Sequence, residues 1–130
     1  MNYTGKQNFE IELNWTSATI SVEIDFDKTF KSHPEADETY TTMDSIKMMV
    51  EFWAGWENDL KEHDGDYVRL FLKNLAKEAF RVGFYDDWNE YGIKNYFKEA
   101  EGWSNMDGTH GILITNFDNI EIEFEDLIIS

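Results

Sequence analysis

The residues best placed to do chemistry in this chain are carboxylates, and in three segments they fall at every second position. Phe9-Glu10-Ile11-Glu12-Leu13 alternates apolar and acidic residues, Ile20-Ser21-Val22-Glu23-Ile24-Asp25-Phe26 alternates likewise, and Ile120-Glu121-Ile122-Glu123-Phe124-Glu125 repeats the pattern. A β-strand turns successive side chains to opposite faces, so each segment gains one oily face and one face of carboxylates. If the three share a sheet, its outer face gathers Glu10, Glu12, Glu23, Asp25, Glu121, Glu123 and Glu125 and no base, because Lys and Arg are absent from 7 to 27 and from 99 to 130. Like charges on neighbouring strands repel, so a sheet built only for solubility would interleave lysines. The chemistry such a face offers is attraction toward a basic surface. The plainer reading is a solvated face.

Other clusters carry weaker signals. Arg69, Lys73, Lys77 and Arg81 stand at i, i+4, i+8 and i+12, a basic stripe along one helix that could bind an acidic partner or pair two protomers; the plainer reading is a solvated face paired to neighbouring carboxylates. Glu62-His63-Asp64-Gly65-Asp66 lacks the twelve-residue spacing and closing Glu of a calcium loop, and His33 and His110 stand at no zinc-ligand spacing, so no metal site is expected. Asp107 and His110 share a glycine-rich loop with Ser104 and Thr109. No nucleophile elbow, phosphate loop or nucleotide fingerprint accompanies them, so the loop reads as structural and the protein as a non-enzyme without a cofactor. Trp53, Trp56, Trp88 and Trp103 read as core rather than as the walls of a ligand pocket. Trp53 in particular is expected between the first helix and the sheet.

The elements that must position these residues follow from periodicity. Strands are expected at about 8–15 and 18–26, joined by Thr16-Ser17, and a proline-containing loop at 27–41. Ile46, Met49, Val50, Trp53, Trp56 and Leu60 form one helical stripe over about 43–63, with Thr41 and Asp44 as its capping box. Gly65 and Asp66 close that helix and cap the next, over about 67–82, which turns Val68, Phe71, Leu72, Leu75, Ala79 and Val82 inward and ends at Gly83. A third helix from Asp87 uses Ile93, Tyr96, Phe97 and Ala100. Strands Ile112–Thr115 and Ile120–Phe124 follow, joined by a turn at Phe117-Asp118-Asn119. The expectation is one α+β domain over 1–130. It has a four-stranded, mainly antiparallel sheet with three helices on one face, in the order ββαααββ.

Composition bounds the function. The 130 residues hold 27 acids against 11 bases, a net charge of −16 that repels nucleic-acid phosphate and favours basic surfaces or cations. An apolar fraction of 42% is too high for a disordered acidic tail. There is no cysteine, hence no disulfide or thiolate metal site, and no run approaches a membrane span or a signal core, so a cytoplasmic location is expected.

Phe52-Trp53-Ala54-Gly55 with Leu60 and Gly65-Asp66, then Asn89-Glu90-Tyr91-Gly92, then Glu101-Gly102-Trp103, Met106-Asp107-Gly108 and Gly111-Ile112, resemble a family of small bacterial and phage-encoded proteins known only as a domain of unknown function. The resemblance spans about 50–112 and brings no catalytic residues. It implies a phage or mobile-element setting, where small acidic proteins inhibit nucleic-acid-binding host proteins by imitating DNA. The leading expectation is therefore a binding protein with its acidic sheet face on a basic protein surface and no direct contact with nucleic acid. The alternatives are an accessory protein that self-associates, its acidity serving solubility, and a small-ligand binder or enzyme at the 102–111 loop.

Overall fold

The computed structural model describes residues 3–13, 18–31, 35–86 and 90–118. The first two strands, β1 (Lys6–Glu12) and β2 (Thr19–Asp25), pair antiparallel as their alternation requires. The Leu13 N–H donates to the Ala18 carbonyl and closes the hairpin; Thr16-Ser17 lies outside the described residues. The segment expected to be a loop instead holds a small hairpin, β3 (Thr29–Lys31) and β4 (Thr39–Thr41), with the Phe30 and Tyr40 rings 6.2 Å apart. Thr29, Phe30, Thr39, Tyr40 and Thr41 are β-favouring types that outweigh the surrounding polar residues.

Helix α1 (Thr42–Phe52) starts at the expected box: the Asp44 N–H donates to the Thr41 hydroxyl at 3.1 Å, and the Thr41 N–H donates to the Asp44 carboxylate at 2.9 Å. The helix expected over 43–63 is in fact two. The chain leaves the helix at Trp53, which is extended, and Gly55, left-handed at φ +74°, is the cap from which α2 (Trp56–Glu62) starts. Asp64 and Gly65 then turn left-handed at φ +57° and +77°, and the Asp66 carboxylate accepts from the N–H groups of Val68 and Arg69 to cap α3 (Tyr67–Asp86). α3 runs past Gly83, which is buried inside it; packing outweighs the roughly 1 kcal/mol propensity cost of a helical glycine. α4 (Glu90–Glu99) precedes β5 (Ile112–Asp118), which is longer than expected and takes in two residues of the anticipated Phe117-Asp118-Asn119 turn. Residues 120–124, expected as a last strand, lie outside the described residues.

The fold is α+β, with antiparallel sheets, but four helices and five strands are described rather than three and four, in the order ββββααααβ. The main sheet runs β1-β2-β5, with β2 in the middle. Ala18, just before β2, with Ile20, Val22 and Ile24 from β2 and Ile112, Ile114 and Phe117 from β5, shares one core with α1, α3 and α4. α3 is the hub: it packs on α1, α2, α4 and β1, and Phe80 stacks on Phe117 at 5.8 Å. All six residues expected to face inward from this helix are buried. Trp53 corrects its expectation. It is half-buried at the C-terminal cap of α1, 5.0 Å from Trp103, rather than between helix and sheet, because the chain leaves the helix there in extended conformation.

Candidate functional site

The outer face of the sheet carries the carboxylates that its register places there. The cross-strand partners are Lys6–Asp25, Asn8–Glu23, Glu10–Ser21 and Glu12–Thr19. Glu10 and Glu12 on the edge strand are exposed, and Glu23 and Asp25 on the central strand are half-buried. Four successive rungs therefore carry one acid each, Asp25 and Glu23 on β2 and then Glu10 and Glu12 on β1, so no acid faces another across this pair. Asp118 of β5 lies on the Glu12–Thr19 rung and accepts from the Asn116 amide at 3.1 Å. The expectation of a face without bases is corrected. Lys6 begins β1, exposed on the same face and opposite Asp25, one residue before the base-free stretch. Asp25 also accepts from the Asp27 N–H at 3.1 Å. Glu121, Glu123 and Glu125 lie outside the described residues.

The basic stripe runs along α3, where Arg69, Lys73 and Lys77 are exposed. Arg81 departs from them by pairing with Glu78, which also accepts from the Tyr96 hydroxyl at 2.7 Å. Burial pushes the Glu78 carboxyl up, but the bonds from Arg81 and Tyr96 outweigh it and hold the group below the ordinary carboxylate range. Among the described residues this is the sole ion pair, so the other three bases of α3 make none there.

Those three bases rim a groove of about 720 Å³ between α3 and β1. Its floor is Phe9, Ile11 and Leu13 from the strand and Leu72, Ala76 and Phe80 from the helix. Sequence reasoning missed it. Leu13 is 37% exposed, and an apolar residue at the end of an edge strand was the available signal.

The 102–111 loop is built as a turn. The Asp107 carboxylate accepts from the Thr109 hydroxyl at 2.6 Å and from its N–H at 3.0 Å, and these bonds, the hydroxyl's foremost, hold its pKa below the ordinary value. His110 stacks on Phe30 at 4.5 Å, and burial lowers its pKa. The Ser104 and Ser45 hydroxyls meet at 2.5 Å. Among the described residues no group of His, Asp and Glu could hold a metal ion.

The motif segments that lie apart in sequence meet around this loop. Gly102, at φ +84°, lies against the Phe52 ring so closely that a Cβ there would sit 2.5 Å from ring carbons. Trp103 packs on Trp53, Phe97 and Phe71. Gly111, also at φ +84°, leaves no room for a Cβ, which would fall 1.9 Å from the Thr42 hydroxyl. That hydroxyl donates to the Asp25 carbonyl at 2.6 Å, and the Asp25 N–H donates to the Gly111 carbonyl at 2.8 Å. Strand β2, helix α1 and the loop are thus pinned at one point. The family model described as "Protein of unknown function (DUF2528)" matches residues 19–129. The chain belongs to the DUF2528 family. The matched span takes in β2 through β5, and β1 precedes it. "Protein ea10" of Escherichia phage lambda and "Lambda prophage-derived protein ea10" of Escherichia coli O6:H1 are each 32% identical to the chain over 100 residues, covering 73% of it and 81% of the relative. No solved structure matches. The DUF2528 chain is therefore phage-related, and no helix among its described residues is long and apolar enough to cross a membrane.

Proposed function

We propose that this protein is a non-enzymatic binding protein that sets the acidic outer face of its sheet against a basic surface, in the manner of a DNA mimic. The partner it would block is a nucleic-acid-binding protein of the host. One observation carries the reading: Asp25, Glu23, Glu10 and Glu12 occupy four successive rungs of β1 and β2, one carboxylate per rung. Same-face rungs repeat at about 6.8 Å, twice the 3.4 Å axial spacing of phosphates along one DNA strand; Lys6 shares the Asp25 rung, so the uncompensated charges of the row are those of Glu23, Glu10 and Glu12. The phage relatives supply a setting in which host nucleic-acid-binding proteins are encountered. Asp107 and His110, the groups an enzyme reading would use, are engaged in a turn and a ring stack, which supports reading them as structural.

The test is capture of host proteins on the immobilised chain, with release by double-stranded DNA. A mimic's partner is displaced by DNA and bound more weakly by the triple variant Glu10→Gln, Glu12→Gln, Glu23→Gln, mainly through slower association. Reversal of Arg69, Lys73 and Lys77 to Glu leaves that binding in place. If the glutamine triple binds at full strength while the α3 reversal loses the partner, the acidic face is a solvated surface and the reading fails.

A further inference from the structure

We propose that the groove between β1 and α3 binds an extended acidic segment of a partner protein, which adds to the sheet as a further strand beside β1. Three observations converge. First, the groove follows the strand's open edge. It is lined by Phe9, Ile11 and Leu13 from the inner face of β1 and by Glu10 and Glu12 from its outer face, and among the described residues β1 has only β2 as a neighbour. Second, the backbone there is ready to pair. The Gly5 carbonyl accepts from Phe26 and the Leu13 N–H donates to Ala18, so bonds to β2 fall on the odd residues of β1. In an antiparallel ladder the alternate residues point their N–H and C=O groups the other way, so those of Asn8, Glu10 and Glu12 face the open edge.

Third, the helical wall repeats at nearly the period of a strand. Arg69, Lys73 and Lys77 line the groove four residues apart, an axial step of about 6.0 Å, against about 6.8 Å for same-face residues of an extended chain. In a chain of net charge −16, these are three exposed bases without an ion pair among the described residues. The two sides of the site also fix the occupant's pattern. Residues facing α3 meet bases and an apolar floor, and should be acidic with an apolar anchor between. Residues on the other side stand beside Glu10 and Glu12, and should be uncharged. A second copy of the chain fails this rule in any register: the inner-face residues of its β1, Gln7, Phe9 and Ile11, carry no acid to meet the α3 bases, and its acids Glu10 and Glu12 fall on the side that calls for uncharged residues.

The probe is a fluorescent synthetic peptide, acetyl-Thr-Glu-Thr-Ile-Thr-Glu-Thr-amide, titrated into the full chain. Saturable binding is expected, about tenfold weaker for the double variant Arg69→Glu, Lys73→Glu, whose fold is checked by circular dichroism. Two N-methylated forms test strand addition, one modified at the Glu and Ile amides and one at the Thr amides. Only one set can face β1, so one form is expected to lose binding by about tenfold or more and the other to keep it. The proposal is overturned if both forms bind alike, if the charge reversal leaves affinity unchanged, or if dodecanoate saturates the groove and the peptide does not.

Discussion

At the scale of single residues, the space around a left-handed glycine decides what a methyl group would do. Gly65 and Gly111 have similar φ, +77° and +84°, but a Cβ meets nothing within 4 Å at Gly65 and the Thr42 hydroxyl at Gly111. Gly65→Ala should therefore cost only the intrinsic penalty of about 1–2 kcal/mol. Gly111→Ala adds a clash and breaks the bond that ties α1 to β2, so a loss above about 3 kcal/mol is expected in denaturant unfolding. Equal losses would show that the Gly111 contact is unimportant. Tyr3 gives a pH signature. Burial, together with its 2.6 Å bond to the Asp66 carboxylate, raises its pKa from 10.0 to about 12. A folded pKa above the unfolded one means that the contribution is complete below pH 10 and is lost as pH rises toward 12. Tyr3→Phe should lower stability at neutral pH and flatten its decline across that alkaline window, as read by chemical denaturation at a series of pH values.

At the scale of elements, Trp103 joins the loop to α1, α3 and α4 through three aromatic neighbours. Trp103→Ala should cost about 3 kcal/mol, whereas Phe52→Ala, on a ring 59% exposed, should cost less than about 1 kcal/mol beyond its contact with Gly102. Thermal melts of the two variants order them. The elements that were legible in the sequence are those whose pattern is local. The alternation of Phe9 to Glu12 and Ile20 to Asp25 gives β1 and β2, Thr41 and Asp44 mark the start of α1, and the six inward residues of α3 are all buried. Less legible were features set by a remote partner. The break from Trp53 to Gly55 sits within one continuous apolar stripe, and a single glycine does not reveal that the chain will turn there. The β3–β4 hairpin rests on three rungs and a Phe30–His110 stack that joins distant residues. The acids Glu10, Glu12, Glu23 and Asp25 were readable as one face, but the register that gives each its own rung, and the presence of Lys6 among them, depends on how β1 and β2 align. The groove was hidden for the same reason, since it requires α3 to pack alongside β1.

At the scale of the whole molecule, charge is the dominant property. A net charge of −16 makes the folded state repel itself, and since no acid faces another across β1 and β2, that repulsion is spread over the surface rather than held in close pairs. Salt should then raise the melting temperature steeply up to roughly 0.1 M, where screening reaches about 10 Å, and little beyond. The triple glutamine variant should melt slightly higher than the parent at low salt, with the gap closing as salt is added. A parent whose melting point ignores salt would mean that its acids are already neutralised by close partners. The placement of β2 between β1 and β5 has a further consequence, for synthesis. Among the described elements β1 and β2 precede the helices and can pair at once, but β5, the other neighbour of β2, comes after all four helices. At about 5–20 residues per second, the inner face of Ile20, Val22 and Ile24 waits several seconds on the ribosome for Ile112 and Ile114. During that interval the nascent hairpin is a sticky, half-finished layer, and the carboxylates on its other face keep neighbouring nascent chains apart until β5 arrives.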